Sequence, residues 1–254
     1  MVRIERQPAG RRRRAVEQRI CRICGAAFLE VAVRDTGSAF LLERRLKKGA
    51  RILVKNRIQK VLFEQDFTKN EVFRRFGLVP ATERTLERRM AGAITQAVLR
   101  RKNRKPEALC LAIEGEETDS AVQDALLALA PRVRYVILNT NGGGDALCAS
   151  LRREYGISVR QRAGAGELLR ADVILTFGAA EPEGRRDALW LPFGEVREAA
   201  GRRRPAFQVV YRLPEGLEEL EKTPYDKNVL LSILLEMGLL PAKQLEVAEI
   251  LEIT

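Results

Sequence analysis

Histidine is absent from all 254 residues. Without an imidazole, the chain supplies neither the base of a serine–histidine or cysteine–histidine dyad nor a histidine ligand to zinc. Aromatic residues make up 6%, tryptophan occurs once and cysteine four times. Four thiols in a chain this long do not form the dense disulfide framework of small secreted domains. No apolar run reaches the roughly eighteen residues that cross a bilayer. The basic N-terminus also has no apolar h-region ahead of a cleavage site. These absences lead to the expectation of a cytoplasmic protein with no membrane partner. What remains is carboxylate, lysine, thiol and hydroxyl chemistry, backbone amides, and binding without chemistry.

The residues present are 46% hydrophobic and 31% charged, with a net charge of +11. That is ample for a sizeable core in one large or two small domains. The charge is unevenly spread. Residues 1–105 hold 28 Lys/Arg against 10 Asp/Glu, a net of +18, whereas residues 106–254 hold 17 against 24, a net of −7. Two modules with different partners are implied, the first suited to a polyanion.

Residues 1–20, which include Arg11, Arg12, Arg13 and Arg14, read as a flexible basic arm, and residues 21–105 as a small basic α+β domain. Within it a β-hairpin is expected over 27–33 and 39–42, around Gly37, with a third strand at 51–54. Helical spacing begins near Asn56 and runs to about Lys102. The charged, proline-terminated stretch 100–106 marks the domain boundary. Beyond it, apolar runs at 109–113, 133–139, 157–161, 172–177, 189–193 and 207–212 alternate with helical stretches at 119–130, 145–155 and 166–170. Such alternation predicts an α/β domain over 106–215 with a mostly parallel sheet. Residues 216–254 read as an acidic helical segment. Its apolar part, 229–240, docks on its own domain or, as the second reading, joins a homodimer.

The strongest constellation is Asn139-Thr140-Asn141-Gly142-Gly143-Gly144, between an apolar run and a helix starting near Asp145. Glycines let backbone approach a ligand, and the amides of a helix start attract an anion. This stretch resembles the first βαβ unit of a Rossmann-type dinucleotide-binding domain, over roughly residues 132–177, with asparagines at two of the usual glycine positions. The resemblance implies a Rossmann-like fold and a phosphorylated ligand. Arg160 and Arg162 stand where an NAD-preferring domain carries an acid, which favours a 2′-phosphate, hence NADP or another phosphorylated nucleotide. The plain alternative is a tight turn with Asp145 as helix cap. Glu114, Glu116 and Glu117 offer acid–base or metal chemistry, or a solvated loop ahead of the next helix.

Cys21-Arg22-Ile23-Cys24-Gly25 has the shape of half a zinc knuckle, but four ligands are needed and no second such pair exists, so zinc is not expected. Residues 68–78 followed by 81–90 have helix-turn-helix spacing, with Arg74, Arg75, Arg84, Arg88 and Arg89 available to phosphates; a helical hairpin with a basic solvated face fits equally. Three functional readings follow. The first is a ligand-responsive regulator that contacts nucleic acid through residues 1–105 and binds a phosphorylated small molecule on its Rossmann-like domain. The second is an NAD(P)-dependent or other nucleotide-cofactor enzyme, and the third a non-catalytic interaction protein with a degenerate Rossmann-like fold.

Overall fold

The structure, a computed structural model, describes residues 1–5, 15–35, 37–178, 187–194 and 207–252. Two compact units emerge: Met1–Thr85 with Leu213–Pro241, and Leu86–Arg212 with Ala242–Thr254.

In the first unit, β1 (Val2–Glu5), β2 (Val16–Ile23) and β3 (Ala26–Arg34) form a sheet in the order β1-β3-β2. β1 runs parallel to β3 and β2 antiparallel to it. The arm expected over residues 1–20 therefore contributes two strands, because Val2 and Val16 are buried in the core and pin them. Arg11, Arg12, Arg13 and Arg14 lie outside the described residues.

α1 (Ala39–Lys55) replaces the two strands expected at 39–42 and 51–54. Short apolar runs do not by themselves separate strand from helix. Here Leu46, Gly49, Ala50 and Leu53 fall on one helical face, which is the buried one. A Cβ on Gly49 would sit 3.2 Å from Val31 Cγ1, so the glycine lets α1 lie close on β3. β4 (Lys60–Val61), α2 (Asn70–Arg74) and β5 (Val79–Pro80) follow, β4 pairing in parallel with β5.

The chain then enters α3 (Arg84–Arg89) and α4 (Ala91–Arg101). The division between units falls at Thr85/Leu86, inside α3, rather than in the charged stretch 100–106. The second unit continues with β6 (Cys110–Gly115), α5 (Ser120–Leu129), β7 (Tyr135–Thr140), α6 (Gly144–Tyr155), β8 (Val159–Gln161), α7 (Ala165–Leu168), β9 (Val173–Thr176) and β10 (Leu189–Pro192). The reason for the displaced boundary is α4, which packs on α5; a Cβ on Gly92 would stand 2.7 Å from Ala128 Cβ.

These five strands form one parallel sheet in the order β10-β9-β6-β7-β8. Strands buried on both faces explain the continuous apolar runs. Ala112, Ile137, Ile174 and Trp190 pack on one side against Ala163, Leu168 and Ala171. The alternate residues Leu111, Ile113, Val136, Leu138, Val173 and Leu175 are also buried. The fold is a mixed α/β architecture with a Rossmann-like, doubly wound strand order.

β11 (Phe207–Arg212) does not extend this sheet as its apolar run suggested. The chain next forms α8 (Lys227–Glu236) in the first unit, where Leu230, Leu231 and Leu234 are buried. It ends the described part with β12 (Glu246–Glu252), which pairs antiparallel with β11. The tail expected as helical is thus helix and then strand, the strand supplied with a distant partner that local periodicity does not reveal.

Candidate ligand site

Parallel strands deliver their loops to one edge, and the register aligns the residues there. Glu114 lies beside both Asn139 and Thr176, and Thr176 beside Pro192, forming one row across four strands. β6 and β9 are neighbours, and the strands next in chain order, β7 after β6 and β10 after β9, lie on opposite flanks of this pair. That is the switch point at which doubly wound sheets open a ligand crevice.

The loops after β6 and β7 are tied together. The buried Thr118 hydroxyl donates to the Gly142 carbonyl at 2.9 Å and lies 2.8 Å from Thr140 Oγ1. The Thr118 amide donates to the same carbonyl at 3.1 Å, and the Asn141 amide to Glu116 O at 3.1 Å.

The three glycines have different jobs. Gly143 caps α6 in the left-handed region (φ 81°). A Cβ on Gly144 would stand 2.8 Å from Leu138 Cδ2, so helix and strand pack only because it is glycine. Gly142 has open space where a Cβ would project. Asp145 is not the cap expected of it but an exposed residue of the first turn, and no side chain caps α6. Asn139 and Thr140 end β7 half-buried, and Asn141 is exposed.

The glycine turn follows the second strand of the sheet, not the first as the resemblance implied, because β6 precedes it in chain and sheet order. Arg160 accordingly lies within the third strand, β8, and Arg162 directly follows it. Arg160 Nε lies 2.9 Å from Glu167 Oε1, and Arg162 Nη2 lies 3.6 Å from Asp145 Oδ2. Each arginine thus faces a carboxylate of its own chain.

At the first strand, the helix start is filled from within. Asp119 caps α5, accepting from the Ala121 and Val122 amides at 3.0 Å. Its other oxygen lies 2.5 Å from Arg88 Nη2, while Arg88 Nη1 donates to Phe177 O at 2.5 Å. Burial pushes the Asp119 carboxyl up, but the Val122 amide and Arg88 outweigh it and hold the group below its ordinary value. The Arg88 guanidinium also lies 5.3 Å from the Phe177 ring centroid, and Phe177 stacks on Phe193 at 5.6 Å. Trp190 Nε1 donates to Thr176 Oγ1 at 2.9 Å, fixing that end of the row. Sequence reasoning assigned Arg88 to a nucleic-acid helix. Only the α3–α4 junction belonging to the second unit reveals it as part of this edge.

The remaining candidates disperse. Arg74 and Arg75 are exposed on the first unit, Arg74 being 3.6 Å from Glu71. Arg84 is exposed and falls in the first unit, whereas Arg89 lies 3.1 Å from Asp124 in the second. Between α2 and α3 the chain makes β5, so the segment is helix–strand–helix rather than two helices on a tight turn; Pro80 and the pairing with β4 hold residues 79–80 extended. Cys21 lies in β2, and Cys24 with Gly25 forms the β2–β3 turn (φ 48° and 78°), a hairpin rather than a knuckle. Burial, then the neighbouring Glu219, pushes the Cys24 thiol up to about 12, and burial raises Cys21 as well. Among the described residues no group of three or more His, Cys, Asp or Glu is placed to hold a metal. Among them, too, no helix is long and apolar enough to cross a membrane.

No protein-family model matches the chain, and no curated protein matches it. Solved structures do. Apo D-lactate dehydrogenase from Escherichia coli matches at 11% identity and a TM-score of 0.31, over 57% of this chain and 55% of that one. L-tryptophan dehydrogenase from Nostoc punctiforme matches at 12% and 0.28, over 60% and 44%. A dipicolinate synthase chain from Bacillus halodurans matches at 14% and 0.39, over 82% and 75%. Carbamoyltransferases are also among the similar chains. The chain spans about half the length of the two dehydrogenases. These are likenesses of chain to chain; the fold assignment rests on the strand order and register of the sheet itself.

Proposed function

We propose that the second unit binds a nucleotide or another phosphorylated small molecule at the carboxyl edge of its parallel sheet. The observation that carries this reading is the switch point between β6 and β9, with the loops of residues 116–119 and 141–143 bonded together beside it. The α5 start is taken by Asp119, so a ligand phosphate is directed to the start of α6, where no side-chain cap competes and Gly142 leaves the backbone open. The acidic partners of Arg160 and Arg162 remove the preference for a 2′-phosphate. NAD, ATP and sugar phosphates therefore stand beside NADP as candidates. Binding is favoured over catalysis because no histidine is present and, among the described residues, no acid–base pair converges there. A thermal-shift panel with NADP, NAD, ATP and sugar phosphates tests the reading: stabilisation by one of them is expected, and none by any member opposes it.

A second reading, contact of the first unit with nucleic acid, is favoured by the exposed Arg74 and Arg75 and by that unit's excess of 23 Lys/Arg over 15 Asp/Glu. Together the two would make a ligand-responsive nucleic-acid-binding protein. A nucleotide-cofactor enzyme would instead require turnover with the stabilising ligand. An interaction protein with a degenerate fold would bind none of the panel.

A further inference from the structure

We propose that α1 carries a docking surface for duplex nucleic acid, formed by Arg44, Lys48, Arg51 and Lys55. The inference rests on the nucleic-acid reading above and names the surface. The four residues follow an i, i+4, i+7, i+11 pattern, which sets them in one row along a helix. All four are exposed, on the side away from Leu46, Ala50 and Leu53, which α1 buries against β3. At about 1.5 Å rise per residue the row is roughly 16 Å long. A duplex strand presents a phosphate about every 3.4 Å of axis, so the row faces several successive phosphates.

A solvated helix face ordinarily interleaves charges of both signs. α1 instead has six cations, its final lysine among them, and a single acid, Glu43. That acid lies 2.8 Å from Lys47, on an adjacent row. No carboxylate among the described residues pairs with Arg44, Lys48 or Lys55. Like charges at i and i+4, as in Arg44/Lys48 and Arg51/Lys55, weaken a helix unless an anion lies across them. α2 packs against α1, and the Arg51 guanidinium lies 6.0 Å from the Phe76 ring centroid, beside Arg75 in the chain. Two further cations, Arg74 of α2 and Arg75 at its end, therefore border the row.

The chemistry favours a duplex over other polyanions. No aromatic side chain lies between the four cations, and the exposed Phe40, one turn before Arg44, is a single ring at the end of the row, so the row contacts phosphates rather than stacking a run of single-stranded bases. An anionic membrane would require an apolar face along the helix. α1 spends its apolar face on β3 and exposes only Phe40, Leu41 and Val54.

The test uses the full chain and a labelled mixed-sequence DNA duplex of about 20 base pairs, followed by fluorescence anisotropy across a salt series. Four neutralised phosphates predict a slope of log K against log salt near −3.6, so affinity should fall roughly 100-fold between 50 and 200 mM salt. Replacing Arg44, Lys48, Arg51 and Lys55 by Gln together should flatten the slope by about 3.6, and Arg44→Gln with Lys48→Gln alone by about 1.8. Arg152→Gln with Arg153→Gln, on α6, should leave binding unchanged. Wild-type binding that the fourfold variant retains with the same slope overturns the surface while leaving the nucleic-acid reading intact. Binding only to single strands overturns the surface but leaves the nucleic-acid reading, whereas no binding to duplex or single strand at low salt, or binding only to anionic lipid vesicles, overturns both. The nucleotide panel on the second unit is independent of either result.

Discussion

Arg88 Nη2 and Asp119 Oδ2 lie 2.5 Å apart, and this pair joins the start of α5 to the end of β9. One guanidinium reaches the carboxylate that caps α5 and the Phe177 carbonyl that follows β9, bridging the two strands between which the switch point lies. The anion that stabilises the first helix start is therefore the chain's own.

Arg88→Ala should lower stability by about 1–2 kcal/mol in urea unfolding, since it removes two charge-assisted bonds from a half-buried group. Arg88→Lys should recover little, because an ammonium cannot span both acceptors as the planar fork does. Asp119 is held below its ordinary value, so its contribution is full above the unfolded value of about 3.9 and is lost as pH falls through the depressed folded value. The Arg88→Ala protein should consequently lose less stability than wild type between pH 7 and pH 3. An equal acid-side loss would show that Arg88 does not set this dependence.

The glycine triplet should split under substitution. Gly144→Ala forces a Cβ to 2.8 Å from Leu138 Cδ2, and Gly143→Ala places a side chain at φ 81°. Each should cost about 1–2 kcal/mol in denaturant unfolding. Gly142→Ala meets open space and should be within about 0.5 kcal/mol of wild type. A bulky residue at the same position should abolish ligand stabilisation while the protein without ligand unfolds as before.

Gly194→Ala should be the most damaging single-methyl change in the second unit. A Cβ there would lie 2.3 Å from the Gly178 carbonyl oxygen and 2.8 Å from the Phe177 carbonyl carbon. These are backbone atoms, which cannot rotate aside, so a loss of about 2–3 kcal/mol or more is expected. Scanning calorimetry of the variant checks it, and an unchanged Tm would contradict the close approach of the two loops.

In the first unit, Tyr225 OH donates to the buried Glu30 at 3.0 Å, and Arg19 bonds the same carboxylate. Burial pushes Glu30 up, but the bonds from Arg19 and Tyr225 outweigh it and hold the carboxyl below its ordinary value. Tyr225→Phe should cost about 1–3 kcal/mol at neutral pH, because a buried carboxylate loses a donor. The penalty should shrink on acidification through the carboxylate range, where Glu30 takes up a proton. Equilibrium unfolding of both proteins at pH 7 and pH 4 distinguishes this from a pH-independent packing defect.

The parallel sheet is legible in the sequence because strands buried on both faces write themselves as unbroken apolar runs, as at Val136, Ile137 and Leu138. The strand–glycine–helix order at 139–155 is legible for the same local reason. Pairing order is not. Nothing near Asn139 tells that β6 lies beside β7, so local pattern assigns the glycine turn to the first strand instead of the second. Arg51, Ile52, Leu53 and Val54 suggest a strand, since four residues hold too little of either period; Leu46, Gly49 and Ala50 settle the helix through burial. β12 becomes visible only through pairing with β11, a contact that sequence proximity does not encode.

Whether the carboxyl edge of the parallel sheet takes a phosphorylated ligand is decided by amide NMR of the 254-residue chain, titrated with the best ligand of the panel. Shifts should concentrate at Glu116, Thr118, Asn141, Gly142, Gly143 and Asp145, and should be absent when Gly142 carries a bulky side chain. Shifts centred elsewhere, or none with any of the panel at millimolar concentration, would contradict ligand binding at this edge.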